Sequence, residues 1–314
     1  MAKKLYEESN IQAIADAIRE KNGTTDTYKV SEMASAIEEI EAGGGSGINP
    51  EWTNWKYFSC NNNRNDLVEK LKFSDTSNGT DFTSMFSSCS KLTTIPLIDI
   101  SKGKTFDSMF YNCTGLTTIP QLDYSSGTSF HQLFNGCSKL TTIPQLNTSN
   151  GTKFTYMFYG CSELTTIPQL DVSGGTDFSY MFNGCSKLTE IPELDTSNSN
   201  TFYAMFYNCY ALTTIPLLDV SKAKTGSYSL SGLFSGCREL VNVTFAGTFP
   251  ITSNLSVFSS SSKLTVDSLM SFINALSDNS GLSTTYTVTI GSTNLAKLTP
   301  EQIAIATNKN IILA

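Results

Sequence analysis

Carboxylates recur at a fixed place in the middle of this 314-residue chain. The aspartates are Asp99, Asp123, Asp171, Asp195 and Asp219, and Asn147 takes their place in one interval. Such a column could bind calcium, which prefers several oxygen ligands, or could hydrolyse a glycosidic bond through a pair of carboxylates. It is also what a repeated Asx turn requires, and asparagine serves in that turn as well as aspartate does. The asparagine at 147 therefore favours the turn.

Single cysteines recur with the same spacing as the aspartates. They are Cys89, Cys113, Cys137, Cys161, Cys185 and Cys209, and every interval is 24 residues. Zinc sites use paired ligands such as C-x₂-C, which this column lacks, so we predict no metal site. We expect buried, reduced thiols that pack as small apolar side chains, with a strained disulfide between adjacent coils as the alternative. The state of Cys60, which lies outside the column, is left open.

The one histidine, His131, occupies a variable position of the repeat beside Gln132. A catalytic triad would need a serine or cysteine and an acid around it, and the repeated cysteines are expected to be buried. The chain contains neither G-x-x-x-x-G-K-[ST] nor G-x-S-x-G. We therefore predict no catalytic residue, no cofactor and no enzymatic activity.

A repeat with a 24-residue period must position these columns. Leucine from Leu92 to Leu212, isoleucine from Ile95 to Ile215 and phenylalanine from Phe82 to Phe202 keep the same step as the cysteines. A period in this range with apolar residues in register is typical of a leucine-rich-repeat solenoid. We predict an α/β solenoid of about eight coils, with atypical coils at both ends.

Each coil contains two segments of different character. The segment "GTxFxxMFxxC" has apolar residues at helical spacing after a threonine that could cap a short helical turn. The segment "LTTIPxLD" is rich in β-branched residues and predicts a short strand. Its apolar residues step by three, so we expect a bend at the proline. Stacked coils would then pair these strands into a parallel sheet.

The ends of the chain differ from the repeat. Residues 1–42 predict two short amphipathic helices that serve as an attachment module, and residues 43–47 ("GGGSG") predict a flexible linker. We assign residues 48–262 to the solenoid with its N-terminal cap, and residues 263–314 to a C-terminal α/β cap. In this cap we expect a helix in 264–278, a strand, a second helix begun by Thr299 and Pro300, and a final strand.

The amino-acid composition limits the kinds of partner that this chain is expected to bind. The net charge is −7 and only 16% of residues are charged, which argues against nucleic acid and anionic membranes, since both call for clustered Lys and Arg. No apolar run reaches the length of about 18 residues that a membrane helix needs. The start "MAKKLYEESN" has no apolar stretch behind its lysines, so we expect no signal peptide.

Tyrosine and asparagine vary from coil to coil beside the constant Phe and Met residues. Such residues on a rigid solenoid suit recognition, because they give large contact areas and adaptable hydrogen bonds. They can equally serve only to cover that side of the coil. The candidate ligand-binding residues are Tyr111, His131, Tyr156, Tyr159, Tyr180, Tyr203 and Tyr207. The opposite face, with repeated threonines and with Gln121, Gln145 and Gln169, is too uniform for specific recognition but could bind a repeating polymer.

The repeat "MFxxCxxLTTIPxLDxSxxTxF" resembles that of BspA-like leucine-rich-repeat proteins of bacteria, which are often involved in adhesion, over about residues 65–245. The segment "IADAIREKNGTTDTYKVSEMASAIEEI" is similar to helical segments in structural and tail proteins of phages and prophages of Gram-positive bacteria. The segments "NNNRNDLVEKLKFSDTSNGT" and "GSTNLAKLTPEQIAIATNKN" also resemble parts of phage-borne repeat proteins.

The resemblance implies a non-enzymatic recognition protein, located on a virion or an extracellular surface. We expect a phage tail or receptor-binding protein that presents its solenoid to a host glycan or protein. Residues 1–42 would join it to a larger assembly, and a homo-oligomer is compatible with that role. A BspA-like bacterial surface adhesin is the alternative, and a polysaccharide-degrading enzyme that uses the aspartate column is a third hypothesis.

Overall fold

The computed structural model describes residues 76–224, 230–248 and 250–314. Outside these residues lie the predicted helical hairpin (1–42), the linker (43–47) and the first part of the predicted solenoid (48–75), which contains Cys60. Across the regular repeats, residues 24 positions apart lie next to each other in successive coils, as the bridges from Asp81 to Thr105 and from Thr105 to Ser129 show. The predicted repeat solenoid is thus confirmed.

The Phe-rich side of each coil is a chain of tight turns, and the prediction of a short helix there was wrong. Within one coil, the amide of Met109 donates to the carbonyl of Phe106 at 3.2 Å, which closes a turn. The amides of Phe106 and Ser108 instead donate to the next coil, to the carbonyls of Ser129 and His131. A helix cannot form because alternate amides leave the coil and bond to its neighbour.

The side that carries "LTTIP" forms a continuous parallel sheet only near the end of the repeats, so the prediction of a sheet through all coils was also wrong. Strand β1 (Thr214–Asp219) pairs in parallel with β2 (Asn242–Ala246). In earlier coils the backbone bonds are sparse, such as Thr141 N to Thr117 O at 3.3 Å. The repeated proline lacks an N–H group and cannot donate to a ladder.

Glutamine side chains supply part of the missing bonding. The residue after the proline is Gln121, Gln145 or Gln169 in three successive coils. The Nε2 of Gln121 donates to the carbonyl of Gln145 at 2.7 Å, and the Nε2 of Gln145 donates to the carbonyl of Gln169 at 2.6 Å. These glutamines therefore join coils, and their amides are engaged by the solenoid itself.

The core consists of columns of identical side chains. The repeated Phe, Leu and Ile residues are buried in every described coil, and so are the Met residues with Leu133 among them. The Phe rings stack from coil to coil, as Phe86 does on Phe110 with 5.4 Å between ring centroids. Parallel columns of this kind bury each coil against the next, so the repeat is stable only as a stack.

The cysteine column is confirmed from Cys113 onward. Cys113, Cys137, Cys161, Cys185, Cys209 and Cys237 are buried free thiols. Each thiol donates to the carbonyl of a Phe in the preceding coil, as Cys137 does to Phe110 at 3.0 Å. Burial raises the pKa of the Cys113 thiol to about 12, so it stays protonated and unreactive.

Cys89 is an exception, because it is disulfide-bonded. The prediction of a reduced thiol was wrong at this position, and the disulfide partner is not Cys113, which is free. Cys89 is the first cysteine of the column, and the residue 24 positions before it is Asn65. It therefore has no preceding thiol within the column and pairs outside it.

The last described residues contain the helices and strands that the sequence predicts. Helix α1 (Val266–Ala275) is capped by Thr265, and α3 (Pro300–Asn308) begins with a capping box of Thr299 and Gln302. A short helix α2 (Ser292–Leu295), absent from the sequence prediction, precedes α3. Strands β3 (Leu255–Ser256), β4 (Tyr286–Thr289) and β5 (Ile311–Leu313) form a parallel sheet in the order β3-β4-β5.

Candidate functional site

Two positions in every repeat have a left-handed backbone conformation. One of them lies directly before the cysteine and is here called the second αL position. It has a positive φ in Ser88, Asn112, Gly136, Gly160, Gly184, Asn208 and Gly236. Apart from Ser88, these are asparagine and glycine, the residues that tolerate this conformation best. At this position the sequence therefore suits the backbone.

The first αL position, two residues after the first Phe of the coil, is filled differently. It has a positive φ in Ser84, Ser108, Gln132, Tyr156, Tyr180, Ala204 and Gly232. A non-glycine residue in this conformation costs about 1–2 kcal/mol, and it is a clear outlier for a bulky side chain. Two consecutive coils nevertheless place tyrosine here, at φ 59° for Tyr156 and 61° for Tyr180.

Hydrogen bonds between coils impose this backbone. The amide of Tyr156 donates to the carbonyl of Ser179 at 3.1 Å, and the amide of Tyr180 donates to the carbonyl of Tyr203 at 2.9 Å. The amides of Ser84, Ser108, Gln132 and Ala204 make the same bonds, although their side chains differ. The solenoid therefore fixes the direction of the side chain at this position and leaves its identity free.

The two tyrosines form the centre of an aromatic cluster. Their rings stack with 4.5 Å between centroids and 16° between planes. Tyr203 packs its ring nearly perpendicular to Tyr180 at 5.0 Å, and Tyr159 lies 5.6 Å from Tyr156. His131 contacts the ring of Tyr156 edge-on at 6.0 Å. The structure thus brings five of the seven predicted ligand-binding residues together.

The hydroxyl groups of Tyr156 and Tyr180, at the centre of the cluster, remain protonated near neutral pH. Burial raises the pKa of Tyr156, although a hydrogen bond with Tyr180 partly offsets the effect. Burial and the neighbouring hydroxyls of Tyr203 and Tyr156 raise the pKa of Tyr180. Neutral phenol groups can donate as well as accept a hydrogen bond, so the cluster offers apolar rings together with polar tips.

His131 is held by polar contacts. Its Nδ1 lies 2.5 Å from the Oγ1 of Thr155, and its backbone amide donates to Asp107 Oδ1 at 3.2 Å. Thr155 and Asp107 are not among the ligand-binding residues predicted from the sequence. Both residues occupy the variable position one residue before the first αL position, as His131 and Tyr203 do. The variation at this position is the sequence signal that could have identified them. These contacts fix the ring beside Tyr156.

The other two predicted residues, Tyr111 and Tyr207, lie two coils before and two coils after Tyr159. All three occupy the position directly after the second Phe of their coil. Tyr207 is exposed and Tyr111 is half-buried. They lie on the same side of the solenoid as the cluster but outside it.

The aspartate column forms the predicted Asx turns, which confirms that interpretation. The Oδ1 of Asp99 accepts the amide of Ser101 at 3.0 Å, and Asn147 makes the same bond with Ser149 at 3.2 Å. The side-chain and backbone hydrogen bonds of Ser125 lower the pKa of Asp123. A glycosidase acid needs the opposite shift, so the column shows the chemistry of a turn.

Two further findings concern the described part of the chain alone. No three of its His, Cys, Asp and Glu side chains are grouped so that they could hold a metal ion. None of its helices combines the length and the apolar character that crossing a membrane requires.

Comparison with known proteins gives a family. A family model described as "Mycoplasma protein of unknown function, DUF285" matches residues 56–144 and 128–242, which together span more than half of the chain. This match supports the resemblance of the repeat to BspA-like proteins. The crystal structure of the T. pallidum leucine-rich-repeat protein has 22% identity and a TM-score of 0.39, covering 58% of this chain and 81% of that chain. No curated protein is a significant match.

Proposed function

We propose, from the fact that this chain belongs to the family described as "Mycoplasma protein of unknown function, DUF285", that it is a non-enzymatic recognition protein. In this proposal the solenoid presents the cluster around Tyr156 and Tyr180 to a glycan or protein on a host cell. The protein is part of a phage or prophage particle, and residues 1–42 attach it to that particle. The similarity of its first segment to phage structural and tail proteins supports this location.

One observation supports the recognition role most directly. Tyr156 and Tyr180 occupy a backbone position that disfavours tyrosine, while the equivalent position holds serine, glutamine, alanine or glycine in other coils. Strained residues that the surrounding structure holds in place are found preferentially at functional sites. Packing of the solenoid does not require them, because coils without them have the same backbone. A requirement for binding accounts for their presence.

A BspA-like bacterial surface adhesin is the second candidate, and the family match supports it. The surface that binds would be the same, and only the particle or cell that carries it would differ. Electron microscopy with an antibody against this chain distinguishes the two. Labelling of phage particles released from the producing cells supports the first candidate, and labelling of the producing cells' own surface supports the second.

The recognition role is tested by binding of the full chain to intact Gram-positive cells and to purified cell-wall glycans. The test variant combines Tyr156→Asn and Tyr180→Asn, since asparagine suits the αL conformation and keeps the fold. The control variant combines Thr142→Ala and Thr166→Ala, on the exposed opposite face. We expect binding by the wild type and the control and loss of binding by the test variant. Equal binding by all three proteins would contradict the proposal.

A further inference from the structure

Tyrosine and asparagine alternate along one column of the solenoid. The position directly after the second Phe, here called the alternating column, contains Tyr111, Asn135, Tyr159, Asn183 and Tyr207 in five successive coils. Tyr159 is 37% exposed and Tyr207 is 38% exposed, whereas Asn135 is 7% exposed and Asn183 is 8% exposed. Tyr159 and Tyr207 therefore protrude, Tyr111 at the same position is half-buried, and each asparagine between them marks a recess.

The spacing of the protruding rings follows from the core beneath them. Each residue of the alternating column comes directly after a stacked Phe, and the centroid of Phe158 lies 5.5 Å from that of Phe182. The next step, from Phe182 to Phe206, is 5.6 Å. The two steps add up to about 11 Å along the stack of Phe rings, and we infer a similar spacing from Tyr159 to Tyr207. The steps from Phe110 through Phe134 to Phe158 are equally regular, at 5.4 and 5.6 Å.

We propose that the alternating column binds an extended β-1,4-linked glycan whose chain runs along the axis of the solenoid. This inference rests on the proposed recognition function and names the ligand class. In such a glycan each sugar is turned over relative to the previous one, so the same ring face recurs at every second sugar. The length of two linked sugars is close to the length of two coils. Tyr111, Tyr159 and Tyr207 would then each stack on one sugar, and the sugars between would lie over the asparagines.

The stacked tyrosines have a different role in this arrangement. The rings of Tyr156 and Tyr180 are 4.5 Å apart, so each covers a face of the other and no sugar fits between them. Tyr159 leans on this pair, with its ring 5.6 Å from Tyr156 and 6.2 Å from Tyr180. The pair therefore positions the ring of Tyr159, and that ring contacts the ligand. This positioning explains why Asn at 156 and 180 would cause loss of binding although the contact residues remain.

The asparagine recesses suit a glycan that carries a bulky group on alternate sugars. Asparagine is shorter than tyrosine, and its amide oxygen can accept hydrogen bonds, while the Nδ2 of Asn183 already donates to the carbonyl of Ala204 at 3.5 Å. Three sources share the linkage: cello-oligosaccharides, oligomers of N-acetylglucosamine, and peptidoglycan strands, in which every second sugar carries a lactyl group. The chemistry common to all three is the β-1,4 linkage, and separate ligands distinguish them.

The test measures affinity of the full chain, by calorimetry, for oligomers of N-acetylglucosamine from two to six sugars long. Cello-oligosaccharides and peptidoglycan glycan fragments form parallel series, and β-1,3-linked gluco-oligosaccharides serve as the linkage control. We expect affinity to rise when a third and a fifth sugar are added, because those sugars reach a second and a third tyrosine. Little change should accompany the fourth sugar. Similar increments for every added sugar, or equal affinity for the β-1,3 series, would overturn the proposal.

Substitutions of Tyr159 test whether this residue contacts the glycan. We expect Tyr159→Ala to lower the affinity for a pentasaccharide about tenfold or more, as loss of a central aromatic contact does. Tyr159→Phe keeps the ring and should keep the affinity, and Thr142→Ala should have no effect. Unchanged affinity in Tyr159→Ala would overturn the proposal. If the wild type binds cells through the tyrosine cluster but binds no β-1,4-linked oligomer, this inference fails while the recognition function stands. If it binds neither, both fail.

Discussion

The ring of Tyr156 lies on the ring of Tyr180 with 4.5 Å between centroids, and both residues have a positive φ. Backbone strain and aromatic stacking make opposing contributions to stability at this pair. The αL backbone costs about 1–2 kcal/mol for each tyrosine, and an aromatic pair contributes about 0.5–1.5 kcal/mol beyond its buried area. The stacking therefore offsets only part of the backbone cost, and the pair adds little to the stability of the solenoid.

Replacing Tyr180 by asparagine tests this balance. We expect Tyr180→Asn to change the free energy of unfolding by less than about 1 kcal/mol, because the relief of backbone strain compensates for the lost stacking. Phe182→Ala, two residues further on and fully buried, should cost about 3–5 kcal/mol. Urea denaturation followed by circular dichroism measures both. A loss above 2 kcal/mol in Tyr180→Asn, by the same scale, would mean that the pair is part of the structural core.

Much of this fold follows from the sequence, and the failures have physical causes. The 24-residue period predicts that Phe106, Leu116 and Cys113 each lie in a column with the equivalent residues of the other coils, because a stacked repeat must bury equivalent residues. The apolar spacing around Met109 imitates a helix, although the amides there bond to the next coil. A left-handed φ is easy to predict where glycine stands, as at Gly184, and cannot be predicted at Tyr180. Variation between coils identified the tyrosines, but their stacking depends on that φ.

The glutamine that follows the proline should contribute measurably to stability. Gln145 donates its Nε2 to the carbonyl of Gln169 at 2.6 Å, where the preceding proline cannot donate. We expect Gln145→Leu to lower the free energy of unfolding by about 0.5–1.5 kcal/mol, the usual net value of one hydrogen bond. Leucine is a fair replacement, since Leu97 occupies the equivalent position in another coil. Thr142→Ala is the control, and a Gln145→Leu protein as stable as this control would contradict the prediction.

Removal of a buried hydroxyl that has no hydrogen-bond partner should have the opposite effect and raise the stability of the protein. The Oη of Tyr124 is buried and makes no hydrogen bond within the described residues, and burial raises the pKa of this phenol. Thr148 occupies the same position one coil later, and its Oγ1 donates to the carbonyl of Asp171 at 2.7 Å. These two residues form a matched pair in which one hydroxyl is satisfied and the other is not.

We expect Tyr124→Phe to stabilise the protein by about 1–3 kcal/mol, because it removes an unpaired polar group from the core. Thr148→Val should instead destabilise it by about 1 kcal/mol or more, because it removes a hydroxyl that has a partner. Thermal and urea denaturation of both variants give the comparison. If Tyr124→Phe lowers the stability, then this hydroxyl has a bonding partner in solution.

The Asx turns should give the aspartate column a defined response to acid. The hydrogen bonds of Ser125 hold the pKa of Asp123 below its ordinary value of 3.8, the side-chain bond having the larger effect. Because the folded-state pKa is the lower one, the stabilisation is present above about pH 4 and is lost as the pH falls through the folded value. The carboxylate is exposed to solvent, so its contribution amounts to a few tenths of a kcal/mol. A direct titration is therefore more sensitive than a stability measurement.

We expect Ser125→Ala to move the pKa of Asp123 up toward 3.8, because the largest cause of its depression is removed. Asp195, three coils away, owes its own lowered pKa first to the side chain of Ser197 and should not respond. NMR titration of the side-chain carboxyl carbons between about pH 2 and pH 6 measures both groups in one sample. A parallel shift of Asp195 would indicate a general loosening of the solenoid. An unchanged Asp123 would mean that the backbone amide alone stabilises the carboxylate, and that the hydroxyl of Ser125 has no part in the turn.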